Sequence, residues 1–432
     1  MQRRMSHQIP GVLFILAVAL TLSLAWWSPA AANEIVIAVW TSPEAENLKR
    51  AAPVIAQKTG LRVEIDEIAR DAYRSKVSTT LLSKAPAWDV VWLPGEWVPE
   101  FAKAGALTSV DTMLTKEQLA DLRGLETSTF EGKLWGLPTE YHPVYLWYRP
   151  SLLKAAGVEV PQTWDEYLAA LRKLQKVDAS GKVERYGTVL RTGVPGVSGG
   201  IEFATFFLGF GATWLDANNK PVMNSPQGIA ALKYFVDILR TEKLAPPDSD
   251  AIGYLEKNQY LQAERAAMAI QWSAAFDLLT SCEKSPKICK DIAATTVPGR
   301  KEGNAIKRGA FMSAESWIVP TSSTRKDAAK TFLAFLASKE GATVWAINGG
   351  DPVNKAVYSD PEVLKVRKDF PLMAETMTFA TLFPRIPHTE QLRQVWAREI
   401  NLAANQKKSP EQALNDCAAE WTRILKEGGY LK

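Results

Sequence analysis

From residue 34 the chain alternates short apolar runs with longer amphipathic stretches. Residues 34–40 are almost wholly apolar in their middle, as in a strand buried on both faces. Ser42 and Pro43 then open a helix, with Ser as N-cap and Pro in the first turn. It runs to about residue 58, where Gly60 can supply a left-handed turn. Strands at 61–68 and 89–93 flank a helix near 72–82. This rhythm predicts an α/β fold with a mostly parallel sheet flanked by helices.

The same pattern continues downstream. Thr163 and Glu166 form a capping box for a helix to about residue 174. Residues 186–192, 266–271 and 316–320 read as strands, and 229–242 as an amphipathic helix. Thr324 and Asp327 cap a helix reaching about 338. Ser409, Pro410 and Gln412 open the last helix, which places Cys417 on its apolar side with Leu414, Trp421 and Ile424 and stops at Gly428 and Gly429. About 400 residues exceed what one core usually holds, so two lobes are expected. With no internal repeat or low-complexity linker, the chain should cross between them more than once.

The amino terminus changes the setting. Arg3 and Arg4, an apolar run over 11–27, and small residues at Ala30 and Ala32 read as a signal peptide over 1–32, cleaved before Asn33. A soluble periplasmic protein is therefore expected. The run is marginal for spanning a bilayer, and no cysteine at the cleavage site offers a sulfur for lipid attachment. Charge then narrows the partners. The net charge of +4 falls to +2 once the two leader arginines are removed. Neither nucleic acid nor an anionic membrane is indicated. Cys282 and Cys289 bracket a polar loop. An oxidising compartment favours a small disulfide between them, two free thiols being the alternative. Of three histidines only His142 and His388 lie beyond the leader, and no Cys/His cluster has metal-ligand spacing. No metal and no cofactor are expected.

Four segments carry a family resemblance: KLWGLP at 133–138 with YLWYRPSLL at 145–153 and PQTWDE at 161–166, then AMAIQW at 267–272, GGDPVNK at 349–355 and KKSPEQAL at 407–414. Together they resemble the family 1 extracellular solute-binding proteins of ABC importers, the maltose-binding-protein-like group. Arg149 departs from that family's usual asparagine. The resemblance implies a two-lobed periplasmic binding fold whose multi-segment hinge crosses near 139–143, 308–311 and 379–384. The lobes would be 33–141 with 311–378, and 142–310 with 379–432. It also implies a monomer that closes on a sugar-like solute and delivers it to ABC transporter permease subunits.

A sugar needs aromatic faces for its C–H surface and polar groups for its hydroxyls, which cost about 1–3 kcal/mol each if buried unpaired. Ligands of open α/β sheets gather beyond strand carboxyl ends. That places Trp40 and Glu44 after the first strand, and Glu96 and Trp97 after the third, among the candidates. On the expected crossover stand Glu140, Tyr141 and His142. Trp272 matches the family's stacking position, while Glu315 and Ser316 follow the second crossing, the glutamate being unusual there. Asp351 lies in the Gly-Gly-Asp-Pro turn, and Arg191 and Arg385 are further candidates.

Rival classes fare less well. Residues 196–200 match G-x-S-x-G, but a loop separates them from the preceding strand and only His388 follows as a base, so an esterase is disfavoured. A glycosidase would need two placed carboxylates. Glu96, Glu140, Glu315 and Asp351 could supply them, yet carboxylates orient hydroxyls in a binder equally well. No enzyme is expected. The acidic set leaves a polyamine, or another non-sugar solute, as the alternative ligand; no Tyr-Tyr pair suggests iron.

Overall fold

Local sequence decides the helix ends. Ser42 accepts a hydrogen bond from the Ala45 amide to start the helix Pro43–Thr59, and Gly60 closes it at φ 73°. Thr163 and Glu166 form the reciprocal capping box of Trp164–Leu174. Ser409 caps Pro410–Glu427, whose apolar stripe buries Leu414, Cys417 and Trp421. One start differs from expectation. The helix Lys326–Ala337 begins after Arg325 with no side-chain cap, because the hydroxyl accepting the Arg325 amide belongs to Ser323, not Thr324. The computed structural model describes residues 33–194 and 198–431, so the expected signal peptide and the first two residues of the G-x-S-x-G segment, 196 and 197, lie outside the described residues.

Most strands assemble into one sheet that runs through both lobes, while Thr129–Phe130 with Lys133–Leu134, Lys176–Val177 with Val183–Arg185 and Arg300–Glu302 with Ala305–Lys307 form separate pairs. Glu34–Trp40 pairs in parallel with Arg62–Ile68 and Val90–Pro94. Most of the rest is antiparallel. Ala310–Pro320 pairs with Val90–Pro94 and with the thirteen-residue strand Gly136–Tyr148, whose far end pairs with Met268–Trp272 and Ala293–Thr295. The sheet is thus mixed, with parallel pairs among the first three strands and a short one between Ala380–Thr381 and Ala310–Pro320. The reason is topological: one long strand leaves the first lobe and the other returns to it, so the two must run in opposite directions. A third segment, Ala380–Thr381, lies along the start of Ala310–Pro320.

Two strand expectations need amendment. The strand expected at 316–320 begins at Ala310. Residues 186–192 form no regular strand; beyond a bridge between Tyr186 and Ala266, the Thr188 and Thr192 amides donate to loop carbonyls of Leu244 and Ser249.

Separate cores lie at either end of the long strands. One gathers Ile35, Ile37, Leu48, Trp92, Trp317, Phe332 and Trp345. Another gathers Trp164, Phe203, Phe206, Phe207, Trp214, Trp396 and Trp421. A further group, including Tyr145, Trp147, Leu261, Phe370 and Met373, packs beside the long strand. Cys282 and Cys289 are joined in a disulfide, and Cys417 is buried and free.

Candidate functional site

The two long strands present a cluster of charge where they cross. Side chains alternate along a strand, so Glu140 and His142 share one face of Gly136–Tyr148 and Tyr141 takes the other. Tyr141 is accordingly buried in the first core, its hydroxyl donating to the Arg123 carbonyl at 2.9 Å. In the neighbouring strand Glu315 stands directly opposite Glu140, and Ser313 opposite His142. The register shifts between Glu315 and Ser316, and Ser316 is buried against the Ser128 hydroxyl instead. Glu44 reaches the cluster from the first turn of its helix. Asp351 arrives from a turn in which Gly349 has φ 103° and a Cβ on Gly350 would strike the Trp345 ring at 2.1 Å, so both positions require glycine.

His142 is the centre. Its Nε2 lies 2.8 Å from Glu140 Oε2, 3.6 Å from Glu44 Oε1 and 3.7 Å from Glu315 Oε2, while Nδ1 lies 3.3 Å from Asp351 Oδ2. Glu140 is 1% exposed and Glu315 4%. Yet neither Glu140 oxygen, neither His142 nitrogen, nor Glu315 Oε2 has an aligned hydrogen bond. Asp351 is better held, by Arg367 at 2.5 Å, which also pairs with Asp369 at 2.8 Å.

These surroundings set the protonation balance. Burial pushes the Glu315 carboxyl up to about 8 against the opposing pull of His142. Burial likewise raises Glu140, again with His142 opposing. For His142 burial disfavours the charge, but Asp351 and Glu140 outweigh it and hold the imidazole well above its usual range. Burial works to raise Asp351, yet Arg367 and His142 keep it below the ordinary carboxylate range.

The second lobe contributes Tyr254, at the start of the helix Tyr254–Gln262. Burial raises its hydroxyl, with the Glu44 charge adding to the effect and those of His142 and Arg70 opposing it. The other sequence candidates have contacts of their own. Trp40 is half-buried, edge-on to Trp92 at 4.7 Å, with the Arg70 guanidinium 4.6 Å from its ring centre. Trp97 lies under Arg74 at 4.4 Å, and Glu96 pairs with Arg393 at 2.8 Å. Arg385 is half-buried, where burial lowers its affinity for the proton and Glu126 and Glu96 oppose this. Trp272 ends its strand opposite Val144, edge-on to Phe311 at 5.7 Å. Arg191 is not part of the cluster; it is buried in the second lobe, where Nε donates to Glu202 at 3.0 Å.

Cluster neighbours that the sequence did not single out are Tyr254, Arg70, Arg74, Arg367 and Arg393. Arg70 and Arg74 alone had a signal, since they open the helix beyond the carboxyl end of Arg62–Ile68. The donor atoms of Glu44, Glu140 and His142 all lie within 4.8 Å of one another, a spacing that can hold a cation. Among the described residues, no helix is long and apolar enough to cross a membrane.

Comparison with known proteins agrees with this architecture. The maltose-bound MalE3 of T. maritima superposes with a TM-score of 0.81 at 24% identity, covering 91% of this chain and 100% of that one. A probable amino-acid ABC transporter periplasmic-binding protein of Sinorhizobium fredii, y4oP, is 25% identical over 389 residues, spanning 87% of this chain and 85% of its own. An arabinooligosaccharide-binding protein of Bacillus subtilis is 26% identical over 312 residues, 67% of each chain. Residues 42–343 match the family of bacterial extracellular solute-binding proteins, and the chain belongs to that family.

Proposed function

We propose that this protein is the periplasmic solute receptor of an ABC importer, taking a carbohydrate, sugar derivative or polyol between its lobes and passing it to the permease. The observation that carries this reading is the convergence of buried, unpartnered polar atoms of Glu140, His142 and Glu315 on the paired long strands, with Tyr254 near enough to feel the charges of Glu44 and His142. Buried polar groups in native proteins are normally paired, so such a set is best understood as waiting for a hydroxyl-rich partner. Trp40 and Trp272 would cover its C–H faces. Relatives whose names specify maltose and arabinooligosaccharides support the solute class.

In this reading residues 1–32 direct export, and the lobes are 33–141 with 311–378 and 142–310 with 379–432. The protein acts as a monomer without catalysis, closing by a hinge movement that solute stabilises. The carboxylate excess favours a second reading, a polyamine or other cationic solute. A thermal-shift screen against mono- and oligosaccharides, polyols and polyamines separates the two, because a ligand that binds the native state raises the melting temperature. A sugar or polyol should do so; a response to polyamines alone would replace the first reading with the second.

A further inference from the structure

The donor set at the crossing has the geometry of a metal shell. His142 Nε2 stands 2.8 Å from Glu140 Oε2 and 3.6 Å from Glu44 Oε1, and Glu315 Oε2 adds a fourth donor 3.7 Å from the same nitrogen. Around an ion with bonds of about 2.0–2.2 Å, neighbouring donors sit roughly 3–3.5 Å apart. The short His142–Glu140 approach is not aligned as a hydrogen bond, so both groups turn buried, unused acceptor or donor capacity toward the same point.

Two further observations point the same way. Glu140 and Glu315 are cross-strand partners, so the register delivers both carboxyls to the same face of the sheet beside His142. The other imidazole nitrogen, Nδ1, meets Asp351, which Arg367 anchors in turn. An outer carboxylate on the second nitrogen is the usual support of a metal-binding histidine, fixing its orientation and raising its basicity.

We propose that Glu44, Glu140 and His142, with Glu315 in reach, bind one divalent transition-metal ion, Zn2+ or Mn2+. The imidazole selects such ions over Ca2+ and Mg2+, which favour all-oxygen shells. The sequence hides this site because its donors come from a helix start and two different strands.

The test is calorimetric titration of the chelator-stripped protein with zinc chloride and manganese chloride, in wild type, Glu44→Gln and Glu140→Gln. Glu242→Gln, at an exposed pair with Arg172, serves as control. One ion per chain is expected, weakened at least about tenfold by Glu44→Gln, lost in Glu140→Gln and unchanged in the control. Glu44 is at a helix start and less buried, so its variant should fold even if Glu140→Gln does not. No stoichiometric binding of either ion would overturn the proposal, as would binding indifferent to Glu44→Gln, or saturation of the site by spermidine alone. The same stripped protein challenged with sugars reports on the solute reading independently, so the two can fail separately.

Discussion

Two buried charge networks invite comparison. In the second lobe Glu202 receives Arg191 at 3.0 Å and Lys257 at 2.5 Å, and Lys257 also donates to the Ile270 carbonyl. No polar atom of these three side chains is buried without a partner. At the strand crossing, four carboxylates surround a single imidazole and several of their atoms have no aligned partner. Both networks are equally hidden from water, so burial alone does not mark function. What separates them is completeness: the satisfied network holds the fold together, and the unsatisfied one has capacity left for something the protein does not itself supply.

That contrast can be broken experimentally. Glu202→Ala would leave two buried cations unpaired and should cost about 3–5 kcal/mol in chemical denaturation; a near-neutral result would show that the network is not structural. The same triad predicts a pH signature. Burial pushes Lys257 down to about 8 even with Glu202 beside it, against about 10.4 in an unfolded chain. The unfolded state therefore binds the extra proton between these values, and stability should rise as pH climbs from about 8 toward 10. The gain is up to about 3 kcal/mol and should vanish in Lys257→Met.

Smaller effects sharpen the other side. Trp272→Ala should weaken solute binding by about 1–3 kcal/mol while leaving the metal titration unchanged; an unaltered solute affinity would remove that ring from the site. Burial pushes the Glu315 carboxyl up to about 8, so it is mostly neutral near pH 7 and Glu315→Gln should leave unfolding of the ligand-free protein there almost unchanged. A loss of several kcal/mol instead would mean that the crossing is as structural as the triad.

How much of this was legible in the sequence depends on range. Ser42, Thr163, Ser409 and Gly60 declare helix ends because caps are satisfied within three or four residues. Glu140 and His142 were visible as a pair, and the two-residue strand period explains why Tyr141 between them turns into the core instead. Arg191 looked like a free cation because nothing in its own segment reveals Glu202 or Lys257, which meet it only after folding. Arg367 and Tyr254 were hidden for the same reason. The parallel strands followed from the α/β rhythm, whereas the antiparallel centre follows from how often the chain passes between lobes, which no local pattern encodes.

The pairing of Gly136–Pro143 with Met312–Ile318 also has a mechanical side. Two strands laced together in this way behave as a torsion bar, and Glu140, His142 and Glu315 ride on it. A group at a fulcrum turns through the full angle of any lobe rotation while moving hardly at all. Whatever sits there keeps its hold on both strands through such a rotation.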